Sequence, residues 1–288
     1  MAAREERGIG TLFVVATPIG NMGDVTARAV ETLRTCDRIV AEDTRRTRGL
    51  LSHFGIGGKP LDALHAHSTE SDVVRLTEKL AAGESVALVT DAGTPIVSDP
   101  GDALVRAAIA AGARVVPIPG ASAVLAALMA SGLAGDGRFR FVGFLPREGT
   151  ARGEAIALVC ATPEQVVLFE SPNRTAQTLR DLADATPART ACVARELTKF
   201  HEELVRGTLA ALAAEEREWI GEVAIVLGAH APDERAAAVG DDALDARIDA
   251  ELAAGTHHVK TIAERLAAWS GRPKRDVYER VLSRKRQR

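Results

Sequence analysis

A chain of 288 residues, 46% hydrophobic and 26% charged, has an ordinary globular balance and enough material for two cores of typical domain size. Its formal net charge of −3 argues against a surface coated in basic groups for indiscriminate nucleic-acid binding, though local basic clusters remain open to RNA. No apolar run approaches the ~20 residues that span a bilayer, and the start, MAAREERGIG, mixes charges of both signs, so a soluble, cytoplasmic protein is expected.

In chain order, apolar runs of strand length fall at Thr11 to Ala16, Arg38 to Ala41, Val86 to Thr90 and Arg114 to Ile118, each closed by a polar or Gly/Pro turn. Between them, Thr26 to Thr35 and Val73 to Leu80 have helical spacing. That alternation predicts a parallel sheet with crossover helices over 8–119, with its ligand-binding turns at the carboxyl ends of the strands. An Ala-rich helix, Ser122 to Met129, leads into a second α/β domain over 120–230, with strands at Phe139 to Gly143, Val166 to Glu170, Ala191 to Glu196 and Glu222 to Leu227. Glu203 to Gly207 suits a short hairpin arm, which makes that sheet mixed. Ala231 to Asp242 reads as a linker, and His257 to Trp269 and Pro273 to Leu282 as two helices around a turn at Gly271, within a helical appendage over 243–288. Cys36, Cys160 and Cys192 lie far apart with no CxxC pair and read as buried thiols.

Chemistry concentrates in three loops that follow strands. Asp91 to Gly101, DAGTPIVSDPG, packs two glycines and two prolines into eleven residues, which fixes a rigid turn whose backbone can approach a ligand closely. Its carboxylates and carbonyls suit a ligand carrying positive charge. A phosphate loop fits poorly, because GxxxxGK[ST] and GxGxxG are absent and Asp91 and Asp99 repel phosphate. Thr17 to Asn21 and Glu42 to Arg46 belong on the same rim of the sheet. Singly each has a plain structural reading, such as Asp43 capping a helix, but three polar loops on one edge point to a binding site. Basic residues cluster at Arg45, Arg46 and Arg48, and again at Arg284, Lys285, Arg286 and Arg288, where a solvated helix end competes with an RNA contact.

The runs TPIGN (17–21), AEDTRRTRGLL (41–51), VTDAGTPIVSDPG (89–101) and PIPGAS (117–122) resemble the tetrapyrrole methylase superfamily. With GFLPR (143–147), FESPNR (169–174), RELTKFHEE (195–203) and the C-terminal KTIAERLAAWSGRPKRDVYERVL, the likeness covers nearly the whole chain and is nearest to the superfamily's ribosomal branch. One departure is His65-Ala66-His67-Ser68, where the family tends to carry a His-Glu-His-Asn-like segment; further ligands at zinc spacing are missing, so no metal is expected.

The resemblance implies a two-domain fold with S-adenosylmethionine folded in a cleft between the domains, and methylation of a cytidine ribose 2′-oxygen of 16S rRNA in the decoding region of the small (30S) subunit. It also suggests a homodimer. Carried onto this sequence, the cofactor pocket comprises Pro18, the loop residues Ala92, Gly93, Thr94, Pro95, Val97 and Ser98, then Ala121 and Ser122, and in the second domain Phe169, Ala194 and Glu222. A ribose hydroxyl is barely acidic, so a proton acceptor is sought among Asp43, Glu170 and Glu196. Each has a structural alternative: a helix cap for Asp43, a pair with Arg174 for Glu170, and a pair with Arg195 or Lys199 for Glu196. Arg45, Arg46, Arg48, Arg147, Arg174 and Lys199 are the candidates for gripping RNA. The competing readings are a C-methyltransferase acting on a porphyrin-like macrocycle and a non-catalytic RNA-binding assembly module.

Overall fold

The computed structural model describes residues 8–65, 68–230, 239–254 and 258–286. It divides into two compact units, Met1–Ala126 with Glu196–His201, and Ala127–Arg195 with Glu202–Arg288. His67, Arg288 and most of the expected linker lie outside the described residues.

The first unit is built on five strands, β1 (Thr11–Val15), β2 (Arg38–Ala41), β3 (Leu61–Ala63), β4 (Val86–Val89) and β5 (Arg114–Ile118), in the order β3-β2-β4-β1-β5. Every pairing is parallel. All four residues of β4 are buried, as expected of a central parallel strand covered on both faces. Alternate residues feed two cores. Val15, Ile39, Ala87 and Val89 pack with Ala29 and Leu33 of α1 (Ala27–Thr35) and Leu51 of α2 (Thr44–His53). Leu12, Val40, Val86 and Leu88 pack with Leu76 and Leu80 of α3 (Glu70–Ala81) and Leu104 and Ala108 of α4 (Asp102–Ala110). Because all the strands run one way, the loops after β1, β2, β4 and β5 emerge on one edge. The expected helix at Ser122 to Met129 is α5 (Ala123–Ser131).

The second unit carries β6 (Phe139–Phe144), β7 (Gln165–Glu170), β8 (Thr190–Arg195), β9 (Glu203–Thr208) and β10 (Val223–Leu227), in the order β6-β7-β10-β8-β9. Only β6 and β7 run parallel, so the sheet is mixed as expected, and the hairpin arm is a full six-residue strand on β8. One face holds Val166, Leu168, Val193, Ile225 and Leu227 against Val159, Leu179 and Leu182 of α6 (Gly149–Ala161) and α7 (Pro172–Ala185), while Leu209 and Leu212 of α8 (Leu209–Ala214) close its edge. Arg189, 1% exposed, donates to the carbonyls of Val159, Thr162, Glu164 and Gly228 at 2.8–3.1 Å, tying the end of α6 to the segments around it. The three cysteines are free and buried.

Among the described residues the appendage has three helices rather than the expected two: α9 (Asp241–Ala254), α10 (Val259–Ser270) and α11 (Lys274–Arg286). The linker reading is corrected at its C-terminal end, since Asp241 and Asp242 open α9. Leu244, Ile248, Ile262, Ala263, Leu266, Val277 and Val281 form a small core of their own. Among the described residues no helix is long and apolar enough to cross a membrane.

Candidate functional site

The loops after β1, β4 and β5 are joined by hydrogen bonds in the first unit. Thr17 and Gly93 exchange both backbone bonds, at 2.9 and 3.1 Å, and the Thr17 hydroxyl donates to the Thr90 carbonyl at 3.2 Å. The Thr94 hydroxyl donates to the Ala121 carbonyl at 3.1 Å. Gly93 has φ +82°, and a Cβ there would lie 3.1 Å from Ile19 Cγ2, so only glycine suits the crossing of these loops. Ile96 and Ser98 also hold left-handed φ values, 76° and 69°. A β-branched residue in that region is strained, and such strain persists where the surroundings over-determine the backbone, commonly at binding sites. Pro18, Gly93, Thr94, Pro95 and Ala121 are thus gathered on one edge, with Val97 and Ser98 exposed beside them.

The segment Glu196–His201 belongs to the same unit. A Cβ on Gly20 would lie 2.4 Å from Lys199 Cγ and 3.2 Å from the Leu197 carbonyl, so the TPIGN loop packs directly on it. Lys199 Nζ donates to Glu196 Oε1 at 2.8 Å, the structural pairing the spacing allowed.

Register explains the carboxylates on this edge. Ala41 pairs with Val89, so the next residues of the two strands meet as well. The Thr90 hydroxyl donates to Glu42 Oε2 at 2.9 Å, and the Asp43 backbone N–H donates to Asp91 Oδ1 at 3.0 Å. Burial pushes the Asp99 carboxyl up to about 6, a hydrogen bond to Thr90 opposes this, and the charges of Glu42 and Asp91 add to the rise. Burial likewise raises Asp91, partly offset by the Asp43 N–H. Glu42, Asp91 and Asp99 make this stretch of rim negative, which suits a cationic ligand and disfavours phosphate.

Asp43 behaves differently. Its carboxylate caps α2, accepting from the Arg45 backbone at 2.8 Å and from the Arg45 guanidinium at 3.1 and 3.3 Å, which holds it down to about 2. A carboxylate so stabilised is a weak proton acceptor. Arg45 and Arg46 are 86% and 67% exposed at the side chain, Arg46 lying 3.4 Å from Asp91, and Arg48 is exposed on the same helix.

In the second unit, Phe169 and Ala194 both stand opposite Ala224, so they share one row and one face of the sheet. Phe169 packs on Phe141 and Phe144 with ring centroids 5.0 and 5.6 Å away. Glu222 is exposed just before β10. Glu170, next to Phe169, points to the opposite face and is 2% exposed. Its oxygens accept from the Ser171 N–H (2.8 Å), the Thr178 hydroxyl (2.7 Å) and Arg174 (3.2 Å). Arg174 also donates to the carbonyls of Leu145 and Pro146, at 2.9 and 3.1 Å. The Glu170 carboxylate organises the buried start of α7, and the pairing with Arg174 that the spacing allowed is formed. Arg174 is likewise committed to protein carbonyls, whereas Arg147 is exposed.

Asp99 and the Glu42–Thr90 contact were not singled out for proton transfer by sequence reasoning. No spacing rule links residues 48 apart; strand order alone does. Among the described residues no three His, Cys, Asp or Glu side chains are placed to hold a metal ion.

A parallel sheet whose strand ends carry a rigid, carboxylate-lined rim, followed by a mixed second sheet, makes this an α/β protein. Residues 11–213 match the profile of the tetrapyrrole (corrin/porphyrin) methylases, and the chain belongs to that family. It is 51% identical over 223 residues to ribosomal RNA small subunit methyltransferase I of Xylella fastidiosa (strain Temecula1 / ATCC 700964), covering 76% of this chain and 81% of that protein. The protein of the same name from Synechocystis sp. (strain PCC 6803) is 42% identical over 277 residues, 95% of this chain and 98% of the relative. Among solved structures, diphthine synthase matches with TM-score 0.58 and 20% identity, over 77% of this chain and 92% of that one. Uroporphyrin-III C-methyl transferase from Thermus thermophilus, complexed with S-adenyl homocysteine, matches with TM-score 0.53 and 18% identity, over 76% and 97%. At these identities the structural matches establish the fold.

Proposed function

We propose that this chain is an S-adenosylmethionine-dependent methyltransferase that methylates the 2′-oxygen of a cytidine in 16S rRNA, in the decoding region of the small ribosomal subunit. Two relatives named for methyl transfer to small-subunit rRNA, one of them alike along nearly the full length, support the substrate class. The observation that carries the reading is the rim itself: glycine-permitted backbone at Gly93 beside Glu42, Asp91 and Asp99 fits a sulfonium and rejects a phosphate as the bound cofactor.

Gly93, Thr94 and Pro95, with Pro18, Ala121 and Ser122 beside them, would hold the methyl donor, and Ala92, Val97 and Ser98 complete that loop. When bound, the donor supplies an electrophilic methyl group on a cationic sulfur. The protein's task is then to position the ribose oxygen, an effect that contributes up to about 7–11 kcal/mol in favourable cases. It must also accept the hydroxyl proton. Asp99 suits this better than Asp43: near pH 7 it is largely ionised yet far more basic than a carboxylate held near 2. Arg45, Arg46 and Arg48 on the outer face of α2 supply the positive charge that the rim lacks, and would take the RNA phosphates.

The test is incubation with tritium-labelled methyl donor and 30S subunits, with a porphyrin precursor, or with no acceptor. Label in 16S rRNA alone is the expected result. Label in the macrocycle would instead establish a C-methyltransferase, and donor uptake with no transfer to either acceptor would sink both enzyme readings.

A further inference from the structure

The appendage sorts its charges between helices. Asp241, Asp245 and Asp249 stand at four-residue intervals on α9 and therefore on one face, as do Arg280 and Arg284 on α11. The two rows interlock. Arg280 reaches Asp241 at 3.1 Å and Asp245 at 2.6 Å, Arg284 reaches Asp245 at 3.1 Å and also Asp249, and Arg272 closes on Asp241 at 2.5 Å. Three of the C-terminal arginines are thus committed to holding the module together.

A different set of cations faces outward. Lys285 and Arg286 are exposed and make no ion pair among the described residues. Lys274 meets Glu264 at 2.5 Å and Arg275 meets Glu279 at 3.3 Å, both at exposed positions where water screens the attraction. Tyr278, the chain's single tyrosine, is 37% exposed between them. Lys274, Tyr278 and Lys285 are four and seven residues apart, which aligns them along one strip of the helix. The setting is a helix-turn-helix: α10 and α11 join through Gly271, Arg272 and Pro273, with Gly271 left-handed at φ 70°, and pack Ile262, Ala263 and Leu266 on Val277 and Val281.

Cations flanking an aromatic ring, on the last helix of such a module, match an anionic polymer with stackable bases. We propose that the exposed strip Lys274–Tyr278–Lys285 of α11, with Arg286 beside its end, docks on the phosphate backbone of ribosomal RNA. The choice of RNA rests on the function proposed above. The cations take phosphates while an unpaired base stacks on the Tyr278 ring, and every base offers such a face, so the contact is indifferent to sequence.

The full-length protein is titrated with naked 16S rRNA and with 30S subunits over a range of salt, beside the K285A/R286A double variant, Y278A and R284A. For the double variant the slope of log affinity against log salt should fall by about 1–2 and the affinity for unrelated RNA sequences should drop equally. Y278A should weaken binding without changing the slope. R284A, which breaks the ladder, should lower the melting temperature and leave the slope intact. An unchanged slope in a folded K285A/R286A variant overturns the proposal, as does tighter binding of duplex DNA than of RNA of equal length. Wild-type protein that transfers no methyl group to rRNA, yet shows the slope change, would sink the functional reading and leave the docking strip standing.

Discussion

Burial and the neighbouring charges of Glu42 and Asp91 hold Asp99 at about 6, above its ordinary 3.8. The folded state therefore favours the protonated acid, and the stability linked to this group is full below 3.8 and lost as pH rises through about 6. Asp99→Asn should raise the melting temperature at pH 8, with the gain vanishing below pH 4. If Asp99 accepts the ribose proton, the same variant loses about 100-fold or more in methyl transfer. The wild-type rate then climbs through pH 6, and the variant's does not. Retained activity with an unaltered pH profile would remove Asp99 from the chemistry. Beside it, replacing Arg45 and Arg46 by alanine should flatten the salt dependence of rRNA binding by about 1–2 while donor affinity, read by calorimetry, stays nearly constant. An unaltered slope would place the RNA elsewhere. The rim loops were legible in the sequence because Gly and Pro punctuate them. The partners of Asp43, Glu170 and Glu196 were legible only as alternatives, and for all three the structural pairing is formed.

At the scale of elements, the strands of both sheets fall where apolar runs end in turns, because a buried strand needs continuous apolar side chains and its turn needs Gly, Pro or a short polar residue. No expectation named the helices α4, α6, α7 and α8, nor β3 and α9. β3 is only three residues long, too short for periodicity to register. α9 reads DDALDARIDAELAA, in which alanine spreads around the helix and hides the Leu244 and Ile248 stripe that is buried. Long-range staples were equally invisible. Arg189 gathers four carbonyls from two distant stretches of chain, so Arg189→Ala should destabilise the protein by about 3–5 kcal/mol, measured by denaturant unfolding. Lysine should recover only part of this, because a point charge cannot reproduce the guanidinium's fan of donors. Full recovery with lysine would show that charge, not geometry, is what the site needs. At the rim, Gly93→Ala places a Cβ 3.1 Å from Ile19 at a positive φ and should cost about 1–3 kcal/mol together with donor affinity. Donor binding equal to wild type would contradict the rim as the cofactor's seat.

For the whole molecule, a net charge of −3 conceals a division of labour: carboxylates at the strand ends of the first sheet, arginines on the exposed face of α2, and a C-terminal module whose ion pairs are internal on one flank and whose lysines face out on the other. Total charge therefore predicts little about RNA binding, while its distribution predicts a great deal. The family follows from a match over residues 11–213 and from relatives alike along nearly the whole length. The atom that receives the methyl group is a separate claim. It is tested most directly by alkaline hydrolysis of 16S rRNA after reaction of undermethylated 30S subunits with this protein and methyl donor, because strand cleavage in alkali uses the neighbouring 2′-hydroxyl. A ribose 2′-O-methyl group gives one new alkali-resistant linkage, 3′ to a cytidine, and that is the result expected here. Incorporated label with every linkage still cleaved would place the methyl group on a base and contradict the account.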